Sequence, residues 1–388
     1  MQGDRLQQLI ANLCPQGVPY KRVRDVYKRL KGTPITASKM KEISTPNGEI
    51  RVFAGGKTAI NAHKSDIPTA NIIYRPAVLV QSRGIIDVIY YNKPFTFKNE
   101  MWAYYADDQV STKFLFYILK NNIQTFREAA SGMGSLPQIS LSVTEDFLIP
   151  VPPLEIQQEI VRILDHFTEL TAELTAELTA RKEQYIYYRN RLLAPTSQST
   201  WMTLGDIGKV AMCKRIMKAE TSPSGDVPFY KIGTFGKEPD AYISKAKYEE
   251  YRSKYSFPKK GDILISAAGT IGRTVIYDGE PAYYQDSNIV WVENDESIVL
   301  NRYLYYYYQL QPWSVSTGGT IARLYNDNIS KARISVPPLP EQRRIVSILD
   351  RFDALCNDLT SGLPAEIAAR QKQYEYYRDK LLTFKERV

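Results

Sequence analysis

The sequence predicts an α+β protein made of two mixed α/β domains, each followed by a long helix. Three observations lead there. A block at residues 149–167, IPVPPLEIQQEIVRILDHF, returns at 334–352 as ISVPPLPEQRRIVSILDRF, matching at 12 of 19 positions with an offset of 185. A second block, ARKEQYIYYRNRLL at 180–193, returns at 369–382, matching at 9 of 14 with an offset of 189. Between the copies lie short runs rich in Val, Ile and Tyr, bounded by Gly, Pro, Asn or Asp, as strands are. The offset grows by four, so the second copy carries four more residues between its two blocks.

The resulting boundaries are a domain at 1–150, a helical arm at 151–195, a second domain at 196–335 and a second arm at 336–388. Fainter echoes support the duplication: PAVLVQSRGIIDVIYY (76–91) parallels GDILISAAGTIGRTVIYD (261–278). The runs AVLVQS, DVIYY, DILISAAG, TVIYD and NIVWVEN are the expected strands. One aromatic helix follows in each domain, at 112–126 and 300–311. Adjacent tyrosines at Tyr305 to Tyr308 point all around such a helix, which suits core and interface packing better than base stacking.

In the arms, apolar residues fall three or four apart. Ile160, Ile163, Leu164, Phe167, Leu170, Leu174 and Leu178 form one stripe, and Ile345, Ile348, Leu349, Phe352, Leu355, Leu359 and Leu363 form the other. Two such stripes can cover each other, with Tyr185, Tyr188, Tyr374 and Tyr377 of the second blocks joining the seam. A continuous helix over 154–193 would run roughly 60 Å. Pro340 followed by Glu341 suits a helix start. Gly362 and Pro364 should break the second arm. At the matching place the first arm has Glu-Leu-Thr-Ala three times, from Glu169, Glu173 and Glu177, and should continue unbroken. Four residues overshoot a helical turn by only about 40°, so each unit nearly preserves the apolar face.

The chain has 388 residues, 44% hydrophobic and 24% charged, with 50 Lys and Arg against 42 Asp and Glu. The net charge of +8 tilts it toward a polyanionic partner, although ordinary solubility charge would look the same. No apolar run is long enough for a membrane span, and the start lacks a signal core, so a cytoplasmic protein is expected. Three isolated cysteines and two histidines give no metal or triad pattern. Phosphate-binding glycine loops are absent, and so is the asparagine-proline-proline-aromatic tetrapeptide of adenine methyltransferases. No catalytic residue is expected. What remains are polar and basic side chains in glycine-flanked loops: Lys57, Ser82, Arg83, Gln138, Lys231, Ser266, Arg273, Thr320 and Arg323. Arg or Lys can take guanine, Gln adenine, and Ser or Thr phosphate or either base.

Taken together, VPP(L)...Q..IV.ILD.F and QY.YYR..LL, each present twice behind a mixed domain, resemble the DNA-specificity subunit of type I restriction-modification systems. The likeness covers nearly the whole chain. It implies that each domain is a target-recognition domain reading one half of a split site. It also implies that the arms pack as an antiparallel coiled coil with internal pseudo-two-fold symmetry and dock two methyltransferase subunits. Restriction/translocase subunits would complete the complex. S-adenosylmethionine, ATP and Mg would then sit on the partner subunits, with no cofactor on this chain, and double-stranded DNA would be the ligand. The number of tetrapeptide repeats would set the unread gap. Two other possibilities stay open at this stage: a coiled-coil scaffold without DNA specificity, and a self-contained modification enzyme.

Overall fold

A computed structural model describes residues 2–131, 136–316 and 322–387. The chain divides into two compact units, Met1–Thr175 with Ile367–Val388, and Ala176–Glu366. Each unit therefore holds one mixed domain, part of the first arm and part of the second. Sequence order alone pairs each domain with the arm that follows it; the folded units draw on both arms.

The two domains have one topology. In the first unit a four-stranded antiparallel sheet runs Lys28–Leu30, Trp102–Tyr105, Ala77–Gln81, Asp87–Tyr91. A three-stranded sheet runs Ala59–Ala62, Ile50–Phe53, Phe95–Phe97, with its last pair parallel. In the second unit the same orders recur as Lys209–Ala211, Ile289–Glu293, Ile263–Ser266, Thr274–Ile276 and as Tyr242–Ile243, Val227–Tyr230, Tyr283–Tyr284, again with the last pair parallel. A two-stranded pair ties each domain's start to the strand entering an arm, Tyr20–Arg22 with Leu148–Pro150 and Thr200–Thr203 with Arg333–Val336. The strands Ala77–Gln81 and Ile263–Ser266 are buried along their whole length, which explains their continuous rather than alternating apolar pattern.

The aromatic helices are Gln109–Asn121, continued by Ile123–Glu128, and Asn301–Tyr308. Tyr306, Tyr307 and Tyr308 are buried in the second unit's core, as the packing argument expected.

The first arm is one helix, Leu154–Leu192, and the second is two, Leu339–Asn357 and Leu363–Leu381. The repeated blocks explain how each arm is held. Gln157 and Gln342, buried at matching positions, donate from Nε2 to the carbonyls of Pro152 and Pro337, both at 2.8 Å, and so close the proline turn. The aspartate of each ILD triplet fixes the arm to the aromatic helix of its domain. Tyr117 donates to Asp165 at 2.5 Å, with Lys113 at 2.7 Å; Tyr306 donates to Asp350 at 2.5 Å, with Arg302 at 2.6 Å. Burial, reinforced by the adjacent carboxylate, pushes both phenols well above their ordinary pKa, so they remain donors at neutral pH.

Two residues beyond each aspartate, the phenylalanine meets the other copy's tyrosine block. In the first unit Phe167 stacks on Tyr377 with centroids 5.6 Å apart and lies edge-on to Tyr374; in the second Phe352 stacks on Tyr188 at 5.7 Å, with Tyr185 beside it. Within each unit the paired helices run antiparallel. In the first, Phe384 beyond the second arm returns to Tyr20 near the start of the first arm, while Tyr377 reaches Phe167 further along it. In the second, Phe352 meets Tyr188 while Cys356, further along its helix, lies near Lys182 and Arg181, earlier in the other.

The break between the helices spans residues 358–362. Asp358 accepts hydrogen bonds from the Thr360 and Ser361 hydroxyls, and a Cβ on Gly362 would lie 2.5 Å from the Ala354 carbonyl oxygen, so only glycine fits this turn. Phe167 to Tyr185 is 18 residues and Phe352 to Tyr374 is 22; the four extra residues are absorbed here. This places Leu359 outside both helices and 80% exposed, so it does not belong to the packed stripe proposed from spacing, while Leu355 stays within the helix at 37%, as exposed as Tyr377. The other stripe residues Ile160, Leu164, Ile345 and Leu349 are buried, and Leu170, Leu174 and Leu178 are half-buried.

Gln342 also accepts from the Leu300 N–H and donates to the Ile298 carbonyl, both at 2.9 Å, whereas Gln157 Oε1 has no partner among the described residues. Orphaning a buried backbone group costs about 1–3 kcal/mol. Gln342→Leu is therefore expected to destabilise the second unit by about 2–4 kcal/mol, and Gln157→Leu to cost the first unit less. Urea unfolding followed by tryptophan fluorescence checks this, because Trp201, Trp291 and Trp313 all lie in the second unit.

Candidate nucleic-acid interface

The exposed loops at the end of each four-stranded sheet gather the polar side chains picked from sequence, though not all of them. In the first unit the chain leaves strand Ala77–Gln81 and turns at Gly84, whose φ of 78° favours glycine. The Arg83 carbonyl accepts the Gly56 N–H at 3.2 Å, and Gly84 donates to the Pro137 carbonyl at 2.8 Å. Arg83 also pairs with Gln138 as an antiparallel bridge. Lys57, Arg83 and Gln138, distant in sequence, thus belong to one exposed loop cluster. A cleft of about 710 Å³ beside it is lined by Arg83, Lys41, Lys98, Glu100, Met40 and Leu136 among others.

In the second unit a cleft of about 620 Å³ brings together Lys231 and Arg323 with Arg215 and Lys218. Lys231 pairs with Asp240 at 2.8 Å and Arg215 with Asp286 at 2.8 Å. Arg323 donates to the Ser287 carbonyl at 2.8 Å, and neither it nor Lys218 has a carboxylate partner among the described residues. The first cleft sets Lys41, Arg83 and Lys98 against Glu100; the second sets four cations against Asp240 and Asp286. Each therefore carries an excess of two positive charges, which suits a phosphate backbone.

Ser82 and Ser266 are corrected by the structure. Both are buried: the Ser82 hydroxyl donates to the Glu100 carbonyl, and the Ser266 hydroxyl donates to the Thr270 carbonyl at 2.5 Å while accepting the Arg273 N–H at 2.9 Å. They brace turns, because a hydroxyl at a buried strand end must find a backbone partner. Arg273 is half-buried, donates to the Phe235 carbonyl at 2.9 Å and does not line the cleft with Lys231 and Arg323. Thr320 lies outside the described residues. Lys41, Arg215 and Lys218 were missed; the basic run CKRIMK around Arg215 was the available signal for the last two. Among the described residues no cluster of His, Cys, Asp or Glu could hold a metal ion. Neither cleft lining includes a histidine or cysteine, so the arrangement supplies hydrogen bonds and positive charge.

The type I restriction modification DNA specificity domain matches this chain twice, over residues 15–183 and 198–369. The chain belongs to that family. The specificity subunit is 53% identical over 299 residues to a type I restriction enzyme specificity subunit of Haemophilus influenzae, covering 75% of this chain and 77% of the relative. It is 34% identical over 298 residues to the EcoR124I/EcoR124II specificity subunit of Escherichia coli, covering 72% of each. Its fold matches the crystal structure of a type I S subunit from M. genitalium with a TM-score of 0.61 at 17% identity, over 94% of this chain and 96% of that one. A specificity subunit is the non-catalytic component of such a system, and DNA specificity and assembly with other subunits are its business. Among the described residues no helix is long and apolar enough to cross a membrane.

Charge placed at a cleft without a paired carboxylate should act through phosphates. Lys218→Ala is expected to weaken DNA binding by the assembled complex equally for all sequences and to lower the slope of log K against log salt by about 1. Titrations of fluorescent duplexes at several salt concentrations measure both.

Proposed function

We propose that each unit of this specificity subunit reads one half of a bipartite DNA site, that the arms set the unread gap, and that two methyltransferase subunits dock on the arms and adjoining surfaces. The observation that carries this is the duplication itself. One topology occurs twice, each copy ending in a positively charged loop cluster, and each is tied to the arm by an equivalent aspartate. Two unlike reading heads on a common spacer specify two short sequences and ignore the bases between them. Methyl transfer with S-adenosylmethionine and ATP-driven cleavage with Mg belong to the partner subunits, in the cytoplasm. The side chains of Ile186, Tyr187 and Tyr376, left 48%, 58% and 62% exposed on the arms, supply apolar surface for such docking.

The tetrapeptide repeat suits a spacer of adjustable length. Its threonines are satisfied within the helix, Thr171 by the Phe167 carbonyl at 2.9 Å and Thr175 by the Thr171 carbonyl at 2.7 Å, and Arg181 pairs with Glu177 at 3.3 Å. A unit can therefore be added or removed without orphaning a polar group. One unit is roughly 6 Å of helix, at most about two base-pair steps of 3.4 Å. The boundary between the compact units, Thr175 and Ala176, falls inside the repeat.

Co-expression with the methyltransferase and mapping of modified adenines across a genome should give a two-part motif with a fixed gap; a contiguous motif, or none, would refute the proposal. Deleting Thr171 to Leu174 should shorten the gap by one or two base pairs and leave both half-sites unchanged.

A further inference from the structure

We propose that Gln138 and Arg323 are one reading position present twice, its side chain selecting an adenine in the first half-site and a guanine in the second. This rests on the units being half-site readers and adds which residue reads. The backbone around the two positions repeats at an offset of 185. Gln138 exchanges backbone hydrogen bonds with Ser131, at 2.9 and 3.1 Å; Arg323 does so with Ser316, at 3.1 and 3.2 Å. The next residue in each copy, Ile139 or Leu324, is buried and donates at 2.9 Å to the carbonyl of Ser82 or Ala267, just past the central strand. Gly84 and Gly269, again 185 apart, make the following turn with positive φ.

This repetition has a chemical consequence. The N–H of each position is consumed by the bridge and its C=O is turned into it, so no backbone donor is left for base contacts. A buried apolar neighbour on one side and a paired serine on the other fix where the side chain starts. What differs is the side chain, and the difference is the one that separates adenine from guanine. A glutamine amide matches adenine N6 and N7, and a guanidinium matches guanine O6 and N7. Gln138 is exposed. Arg323 spends one Nη2 donor on the Ser287 carbonyl, which braces the group and leaves Nε and Nη1 without a hydrogen-bond partner among the described residues. Of the other candidates, Ser82 and Ser266 are buried, Arg273 is tied to Phe235, and Lys231 is paired with Asp240. Lys57 and Lys218 are point charges suited to phosphate, and the exposed Arg83 sits beside Gln138 at a position whose counterpart, 185 residues on, is Ala268 and so is not shared by both units.

The test uses the specificity subunit assembled with its methyltransferase, and binding to duplex pools randomised across both half-sites. The wild-type complex must first give a two-part motif; failure there overturns the half-site reading itself. Given that motif, Arg323→Gln should cut the preference for guanine at one pair of the second half-site by roughly ten-fold or more, leaving the first half-site and the gap intact. Gln138→Arg should do the same for adenine in the first half-site alone. Arg323→Lys, which keeps the charge but not the fork, should hold overall affinity and lose the guanine preference. A second half-site without a G·C pair, a uniform loss of affinity with unchanged preferences, or full specificity in Arg323→Lys would each overturn the proposal. Circular-dichroism melting of each variant separates loss of reading from loss of fold.

Discussion

The stacking of Phe167 on Tyr377 and of Phe352 on Tyr188 is the constraint on which the remaining architecture depends. Each phenylalanine belongs to one copy of the first repeated block, and each tyrosine to the opposite copy of the second. An arm helix alone would expose its stripe to water; the ring contacts and the leucines around them bury it only when helices from both copies are present in one unit. The duplication is therefore a structural requirement as well as a functional one, because neither arm can be completed by its own copy.

The carboxylate two residues before each phenylalanine transfers that constraint to the domain. Asp165 and Asp350 each receive a phenol and a cation from the aromatic helix, so the sheet whose loops carry the clefts is fixed to its arm by a short, charge-assisted link. Recognition loops can then differ freely between domains while the frame stays constant. The Gln138 and Arg323 positions illustrate this, with the same bridge to a serine seven residues earlier and different side chains.

Much of this was legible in the sequence. The repeats gave the two domains, the helical period gave both arms, and Gly362 with Pro364 gave the break. Strand positions such as 77–81 and 263–266 were visible as dense Val, Ile and Leu runs. The partner of each arm helix was not, since a 3.6-residue period says which face is apolar and nothing about what covers it. Nor did spacing reveal that Leu359 falls in a turn. Ser82 and Ser266 looked like loop hydroxyls because they follow strands, and only the fold shows that the strand ends are buried. The repeated aspartates were plain as letters, but Lys113, Tyr117, Arg302 and Tyr306, which give them a purpose, lie about 50 residues upstream.

The division of the chain also bears on how it folds during synthesis. The first unit's core includes Tyr374, Leu381, Leu382 and Phe384, packed with Ile156, Ile160 and Leu164. Those residues leave the ribosome after the whole second unit, which comprises Ala176–Glu366. The first domain must therefore wait, with the apolar face of its arm open, until the whole second unit has been made, whereas the second unit closes from contiguous sequence. At elongation rates of about 5–20 residues per second, the delay is on the order of ten seconds or more. During that interval the apolar face of the first arm is open to chaperones and to pairing with another nascent copy.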